Sequence, residues 1–251
     1  MLINFLIIGA QKAGTTALSD YLGKHPNIYI PPCKEIHFFD KEDQAWGDKA
    51  SVQLNYHANY PLLNTKPDIL NGDATPIYSY WAPAMQRIWS YNPAIKLILC
   101  LRNPIDRAYS HWAMEVKRGW DSLTFEEAIE QEEERCKEAL PHQHRIYSYI
   151  SRGFYSEQIR RMWSFFPREQ TLILRQEELS KNVEKTLRKV HRFLGVDYHP
   201  FASVVYANPG TYPKPMHLAT RAKLQAIFDP EISQLEKMLR WDLSHWRNHD
   251  T

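Results

Sequence analysis

Five residues near the amino terminus have the types and the spacing of an anion-binding turn. Lys12 lies between Gly9 and Gly14, and Thr15 and Thr16 follow directly. A nucleotide-binding loop of the form G-x-x-x-x-G-K-[ST] has its lysine directly after the second glycine, where Thr15 stands here. The N–H groups at a helix start, together with the helix dipole, favour phosphate-like anions. The sequence therefore predicts an anion site in which Lys12 supplies positive charge and the threonines supply hydroxyl donors.

Basic residues also follow two later apolar runs. Residues 94–101 read AIKLILCL and precede Arg102, and residues 171–174 read TLIL and precede Arg175. Metal-dependent phosphoryl transfer usually needs a carboxylate at such a strand end to hold Mg²⁺. Cations at both places favour a site that neutralises an anion without a metal. A transferring group of low charge, such as sulfuryl, fits such a site better than a triphosphate does.

Four segments of the chain resemble those of a known enzyme family. They read GAQKAGTTAL (9–18), KEIHFFD (34–40), LRNPIDRAYSHW (101–112) and RGFYSEQIRRMWSFFP (152–167). The chain resembles the sulfotransferases that use 3′-phosphoadenosine 5′-phosphosulfate (PAPS), in particular their heparan-sulfate-type and bacterial branch. The resemblance runs through most of the chain, and its first and third segments are the most specific.

The resemblance implies that PAPS is the donor, that no metal is required, and that two segments hold opposite ends of the nucleotide. The 3′-phosphate would be held by Arg102 and Ser110, because a guanidinium can bind phosphate through two parallel hydrogen bonds. If these segments bind no nucleotide, residues 9–18 form a plain turn, and Arg102 and Ser110 serve in helix capping. The residues that would bind the 5′-phosphosulfate are Gln11, Lys12, Ala13, Gly14, Thr15 and Thr16.

Glu35 matches the residue that removes the acceptor's proton in the heparan-sulfate-type branch. A carboxylate serves as a base when it lies close to the acceptor and its pKa suits the working pH. If this stretch is extended, Glu35 and His37 share one face, which makes His37 a rival base or a substrate contact. The structural alternative for Glu35 is a salt bridge with Lys34.

The chain departs from the family's pattern in two places. Related enzymes often read E-K-[ST]-P-x-Y where residues 73–78 read DATPIY, so Ala74 replaces a lysine. Asp73 is interpreted as an acceptor contact or a turn cap, and Arg152 as a contact to the nucleotide or the acceptor.

The second departure is in the late loop. Heparan-sulfate-type enzymes read K-G-R-x-Y-P, whereas residues 208–213 read NPGTYP and lack both cations. Tyr212 and Lys214 are assigned to the donor site on this resemblance. Lys214 or Arg221 is the candidate replacement for the missing cations.

Apolar runs alternate with helical patterns along the chain, which predicts an α/β, P-loop-like three-layer fold with a central, mostly parallel sheet flanked by helices. We expect one sulfotransferase domain over residues 1–251. Residues 41–67 are polar and predict an irregular excursion over the surface. Buried strands are predicted at 3–9, 94–101 and 171–174, and short strands at 27–32 and 69–70. Helices are predicted at 15–24, after Arg102, and at 124–138, 156–166, 177–194 and 218–240, the last interrupted near Pro230.

The composition excludes several classes of protein. The net charge is only +2, so no general field attracts nucleic acid. No run reaches the ~18 apolar residues of a membrane helix, and no secretory signal is evident. The three cysteines form no C-x-x-C pair and fit a reducing compartment. We therefore expect a cytoplasmic protein. The resemblance implies an enzyme that acts on a small-molecule or glycan acceptor, and the identity of the acceptor and the oligomeric state stay open.

Two other functions stay open on the sequence alone. The chain could be a P-loop kinase or nucleotide hydrolase, although the lysine beside the threonine is absent. It could also be a non-catalytic module that keeps a nucleotide cleft, given the changes at Ala74 and at residues 208–211.

Overall fold

The computed structural model describes residues 1–33, 35–63, 66–200 and 215–247. Contacts between residues divide the chain into two compact units. The first unit comprises Met1–Leu101 and Arg161–Asn208, and the second comprises Arg102–Arg160 and Pro209–Thr251. The single domain over residues 1–251 stays a prediction.

In the described residues, the first unit contains one sheet of five parallel strands in the order β2-β3-β1-β4-β5. All five residues of β1 are buried, which explains why its sequence FLIIG has no polar side chain. Because the strands are parallel, the loops that follow β1 and β3 leave the same edge of the sheet. The strands are β1 (Phe5–Gly9), β2 (Ile28–Tyr29), β3 (Leu70–Ala74), β4 (Lys96–Leu101) and β5 (Thr171–Arg175).

Helices follow most of the strands. In chain order the α-helices of the described residues are α1 (Thr15–Leu22), α2 (Lys49–His57), α3 (Ala84–Tyr91), α4 (Pro104–Lys117), α5 (Phe125–Glu130), α6 (Glu132–Lys137), α7 (Tyr155–Phe165), α8 (Gln176–Lys181), α9 (Val183–Leu194) and α10 (Leu218–Leu239). Helix α1 packs on β1 and β3. Helix α9 ends at Gly195, whose φ of 86° is easily adopted only by glycine.

The second unit is helical in its described residues. Asn103 caps α4 by accepting a hydrogen bond from the amide of Ile105, and Pro104 occupies the first turn. Helix α5 begins with a capping box in which Thr124 and Glu127 satisfy each other's backbone amides.

The α/β, P-loop-like fold class and the existence of all five predicted strands are confirmed. Of the two short strands, the one predicted at 27–32 covers only Ile28–Tyr29, and the one predicted at 69–70 runs over Leu70–Ala74. The irregular excursion predicted for residues 41–67 was wrong in part, because Asp48 caps α2 by accepting from the amides of Ala50 and Ser51. The helix predicted at 177–194 is broken at Asn182, which separates α8 from α9. Likewise, the helix predicted at 124–138 is divided at Gln131 into α5 and α6.

The interruption expected near Pro230 is also wrong, since α10 continues through it. A proline inside a helix removes one backbone hydrogen bond. The buried side chains of Leu224, Phe228, Ile232 and Leu235 lie on both sides of the proline and hold the helix in place. Among the described residues, no helix combines the length and apolar character required to span a bilayer.

Candidate active site

The turn between β1 and α1 is built around the N-terminus of the helix. The amide of Ala10 donates to the carbonyl of Cys100 at 2.7 Å, which ties the start of the turn to β4. Gly14 occupies the N-cap position, and no side chain caps this helix start. The sequence-predicted residues thus occupy this turn and the first two positions of α1, where backbone N–H groups favour an anion. These residues are Gln11, Lys12, Ala13, Gly14, Thr15 and Thr16.

Both glycines of the turn are required by the backbone. A Cβ on Gly9 would lie 2.2 Å from Oγ of Ser79 and 3.1 Å from the carbonyl oxygen of Pro76. Gly14 has a φ of 85°, a conformation in which other residues are strained. The glycines therefore serve both the turn's shape and the close approach of residues 76–79.

The segment after β3 lies against this turn. The amide of Ser79 donates to the carbonyl of Ile8 at 2.8 Å. Arg161 donates to the carbonyls of Ser79 and Tyr80 at 3.1 and 3.0 Å. The segment is consequently held by hydrogen bonds to β1 and to the Arg161 side chain.

Arg175, the cation expected at the end of β5, pairs with Glu178 through two hydrogen bonds of 2.8 and 2.6 Å. Its positive charge is therefore balanced within the same unit. Lys12 is the sequence-predicted cation that lies in the turn itself.

A second group of titratable side chains lies in residues 35–40. Nε2 of His37 is 3.5 Å from a carboxylate oxygen of Glu35, and Nδ1 of His37 is 3.0 Å from Oδ2 of Asp40. The Asp40 side chain is fully buried, whereas Glu35 and His37 are partly exposed. The imidazole thus bridges one buried and one accessible carboxylate.

The backbone brings Glu35 and His37 together in an unexpected way. Both residues have positive φ values, 66° and 52°, so the extended stretch that the sequence led us to consider is wrong. Positive φ is uncommon outside glycine and occurs often at functional sites. The two side chains nevertheless face each other, because the chain turns instead of alternating sides.

The two carboxylates change the protonation of His37. The hydrogen bonds that His37 donates to Asp40 and then to Glu35 outweigh partial burial and raise the pKa of His37 from 6.5 to about 9. His37 is therefore an imidazolium at neutral pH. A group that already carries its proton cannot accept another.

Asp73 is enclosed at the end of β3 and is only 1% exposed. Its carboxylate accepts hydrogen bonds from Thr75 at 2.8 Å and from Tyr56 and Tyr78 at 3.0 Å each. Burial raises the pKa of Asp73, and the three hydroxyl donors oppose that rise.

Arg102, Ser110 and Arg152, which were also predicted for the site, belong to the described part of the second unit. The hydroxyl of Tyr155 donates to the carbonyl of Arg102 at 3.0 Å, and Ser110 is buried within α4. Arg152 is buried as well, and it donates to Oγ of Ser148 at 2.8 Å and to the carbonyl of Arg145.

Of the residues predicted in or near the late loop, the structure describes only Arg221. Tyr212 and Lys214 lie outside the described residues. Arg221, the other candidate for the missing late-loop cations, pairs with Asp106 at 2.6 Å. Within the described part of the chain, no three His, Cys, Asp or Glu side chains are grouped so that they could hold a metal ion.

Comparison with known proteins identifies the family to which this chain belongs. The family model of the sulfotransferase domain matches residues 2–208. The chain belongs to the sulfotransferase domain family. The family that its motifs resemble is thereby confirmed.

Individual sulfotransferases support the assignment. A crystal structure of a sulfotransferase from Alicyclobacillus acidocaldarius is 31% identical, with a TM-score of 0.81 over 99% of this chain and 100% of that one. The membrane-associated sulfotransferase kil1 of Dictyostelium discoideum is 24% identical over 98% of this chain and 66% of its own length. Human heparan sulfate glucosamine 3-O-sulfotransferase 5 is 26% identical over 76% of this chain. The match to that human enzyme spans 53% of its length, about half.

Three residues around the candidate site were missed by the sequence reasoning. Asp40 stands three positions after His37, and this spacing could have indicated a contact between them. Tyr78 belongs to the DATPIY stretch, where its position alone gave no partner. Arg87 donates to the carbonyls of Phe39 and Lys41 at 3.0 and 2.9 Å, and these contacts across the chain had no sequence signal.

Proposed function

We propose that this sulfotransferase moves a sulfuryl group from PAPS to a hydroxyl or amine of a small-molecule or glycan acceptor. The observation that carries the proposal is a connection through two adjacent residues. Tyr78 accepts a hydrogen bond from the amide of Phe38 at 2.9 Å, while Ser79 donates its amide to Ile8 at 2.8 Å. The segment at residues 78–79 is therefore attached both to the stretch that carries Glu35, His37 and Asp40 and to the strand that leads into the anion-binding turn.

The turn supplies positive charge and hydrogen-bond donors to the phosphate that leaves. As the sulfuryl group departs, negative charge grows on the 5′-phosphate of the donor. Lys12 and the N-terminal amides of α1 stabilise that charge in our proposal, with Thr15 and Thr16 as additional donors. Fixed donors of this kind cost little reorganisation when the reaction occurs. No step requires a metal ion.

The 3′-phosphate is assigned to Arg102 and Ser110 because LRNPIDRAYSHW resembles the family's 3′-phosphate segment. Tyr212 and Lys214 are proposed as further donor contacts on the resemblance of the late loop. Arg152 is retained as a contact to the nucleotide or the acceptor. These assignments rest on the sequence.

Glu35 is the proposed base. His37 was its rival on the sequence, but an imidazolium cannot remove a proton, and the pKa of His37 is raised to about 9. Glu35 is a partly exposed carboxylate beside that imidazolium, so an acceptor can approach it. His37 orients Glu35 and is itself held by Asp40.

The proposed transfer is a single in-line displacement. The acceptor oxygen or nitrogen forms a bond to sulfur, and the bond from sulfur to the 5′-phosphate oxygen breaks. The acceptor's proton passes to Glu35, and the electron pair of the broken bond leaves with adenosine 3′,5′-bisphosphate. Holding both reactants in register is the positioning contribution to the rate.

The test is transfer of label from ³⁵S-PAPS to a panel of sugar, lipid, polyketide and phenolic acceptors. We expect Lys12→Ala and Glu35→Gln each to lower turnover by about 10²-fold or more, the typical effect of removing such a group. Lys24→Ala and Glu157→Gln are the matched controls, because both side chains are exposed outside the site. Unchanged turnover in both site variants would reject the proposed mechanism.

A further inference from the structure

We infer that Asp73, Tyr78 and Ser79 form a bridge that positions the Glu35–His37 pair relative to the anion-binding turn. The inference rests on the proposed function. It assigns Asp73 a positioning role within the protein, whereas the sequence left an acceptor contact and a turn cap as the alternatives. The bridge lies entirely within the first unit.

The centre of the bridge is the hydroxyl of Tyr78, which is fully buried. It donates to Oδ2 of Asp73 at 3.0 Å and accepts from the amide of Phe38 at 2.9 Å, with a longer contact of 3.4 Å from the amide of Phe39. A phenol has one hydrogen to donate and two lone pairs that accept. With its hydrogen directed at Asp73, the oxygen presents its lone pairs to the amides that follow His37.

Asp73 therefore sets the orientation of the Tyr78 hydroxyl. A neutral side chain at position 73 could itself donate, and the tyrosine hydrogen would then be free to turn away. Thr75 and Tyr56 also donate to Asp73, so together with Tyr78 three hydroxyl groups hold its carboxylate. A buried carboxylate with three hydroxyl donors is a rigid anchor, because leaving any partner unsatisfied is costly.

Ser79 forms the other end of the bridge. Its amide donates to Ile8 in β1, and its side chain lies where a Cβ on Gly9 would clash. Arg161 donates to the carbonyls of Ser79 and Tyr80 and so holds the same segment. Because Tyr78 and Ser79 are adjacent, a displacement of one is transmitted to the other.

Tyr78→Phe isolates the bridge, because it removes one hydroxyl and keeps the ring. We expect kcat to fall by about 10- to 100-fold, the effect of a misplaced reacting group, while the affinity for adenosine 3′,5′-bisphosphate changes less than about twofold. Tyr91→Phe is the matched control. The buried Tyr91 hydroxyl also accepts a backbone amide, that of Ile3, at 2.9 Å, and it lies 2.8 Å from Nε2 of His57. The Tyr91 ring packs against Phe39, and Tyr91→Phe keeps that ring.

The pKa of His37, measured by NMR titration, is a second readout. A variant that is less stable but still folded would keep this pKa unless the bridge itself were lost. The charged groups facing His37 are Glu35 and Asp40 on its own segment and Asp73 on β3. Loss of the bridge loosens the contacts to Glu35 and Asp40, so in Tyr78→Phe we expect the pKa of His37 to fall by about one unit toward 6.5. Tyr91→Phe should leave it unchanged.

Asp73→Asn is the second variant and should change kcat and the His37 titration in the same direction. Urea unfolding identifies the conditions in which every variant is folded. The inference is overturned if Tyr78→Phe keeps both the wild-type kcat and the wild-type titration, or if Tyr91→Phe loses as much activity. A shifted titration in a protein that transfers no sulfuryl group would support the bridge and reject the proposed function.

Discussion

We propose different roles for Glu35 and His37 because the groups around them differ. His37 lies between two carboxylates, which keep it protonated at neutral pH. Their proximity was predictable from the spacing in KEIHFFD, but the reason given for it was wrong, since both residues have positive φ. Local backbone conformation of this kind depends on contacts such as Tyr78 to Phe38, which join residues far apart in the chain. The sequence pattern does not contain them.

The pH dependence of catalysis tests the role of His37. Its pKa is raised above 6.5, so its imidazolium contacts are complete below pH 6.5 and are lost as the pH rises through about 9. We expect kcat/KM to fall with rising pH around that value. His37→Gln should have lower activity and lack this alkaline fall. An identical alkaline limb in wild type and His37→Gln would contradict the assigned role.

At the scale of elements, the β1–turn–α1 unit was the most predictable part of the fold. The apolar run of β1 and the two glycines of the turn indicated strand, turn and helix directly. Helix α2 was missed because its buried side chains, Val52 and Tyr56, are few and give a weak pattern. The segment after β3 was equally unpredictable, because its role depends on contacts to β1 and to residues 38–39.

Gly9→Ala tests the close approach of that segment. The new Cβ would lie 2.2 Å from Oγ of Ser79, so either the turn or the segment must move. Overpacking of this kind destabilises a protein by about 1–3 kcal/mol, which urea unfolding would measure. We also expect weaker donor binding, because either movement disturbs the contact between the segment and the turn. Gly47→Ala is the control, since a Cβ there meets nothing within 4 Å. If Gly9→Ala and Gly47→Ala are equally stable, Ser79 does not lie tightly against Gly9.

At the scale of the whole molecule, burial of titratable groups links stability to pH. His191 is 2% exposed and lies beside the rings of His25 and Tyr198. Among the described residues, neither of its ring nitrogens has a hydrogen-bond partner. Burial, followed by the charges of His25 and His199, lowers the pKa of His191 from 6.5 to about 4.

Acid should therefore destabilise the fold through His191. Because its folded pKa lies below the unfolded value, the unfolded state takes up a proton first as the pH falls below 6.5. We expect the free energy of unfolding to fall by about 2 kcal/mol from this residue between pH 7.5 and pH 5. In His191→Leu that part of the pH dependence should be absent. If urea unfolding gives both proteins the same dependence on pH, His191 is not the cause.

The central claim is that the turn after β1 binds the 5′ end of an adenosine 3′,5′-bisphosphate donor. Calorimetric titration with adenosine 3′,5′-bisphosphate in EDTA, compared with ATP and Mg²⁺, tests it without knowledge of the acceptor. We expect the bisphosphate to bind wild type and Lys24→Ala equally, and Lys12→Ala at least about tenfold more weakly, a loss of about 1.4 kcal/mol. Tighter binding of ATP with Mg²⁺, or full affinity in Lys12→Ala, would contradict the account.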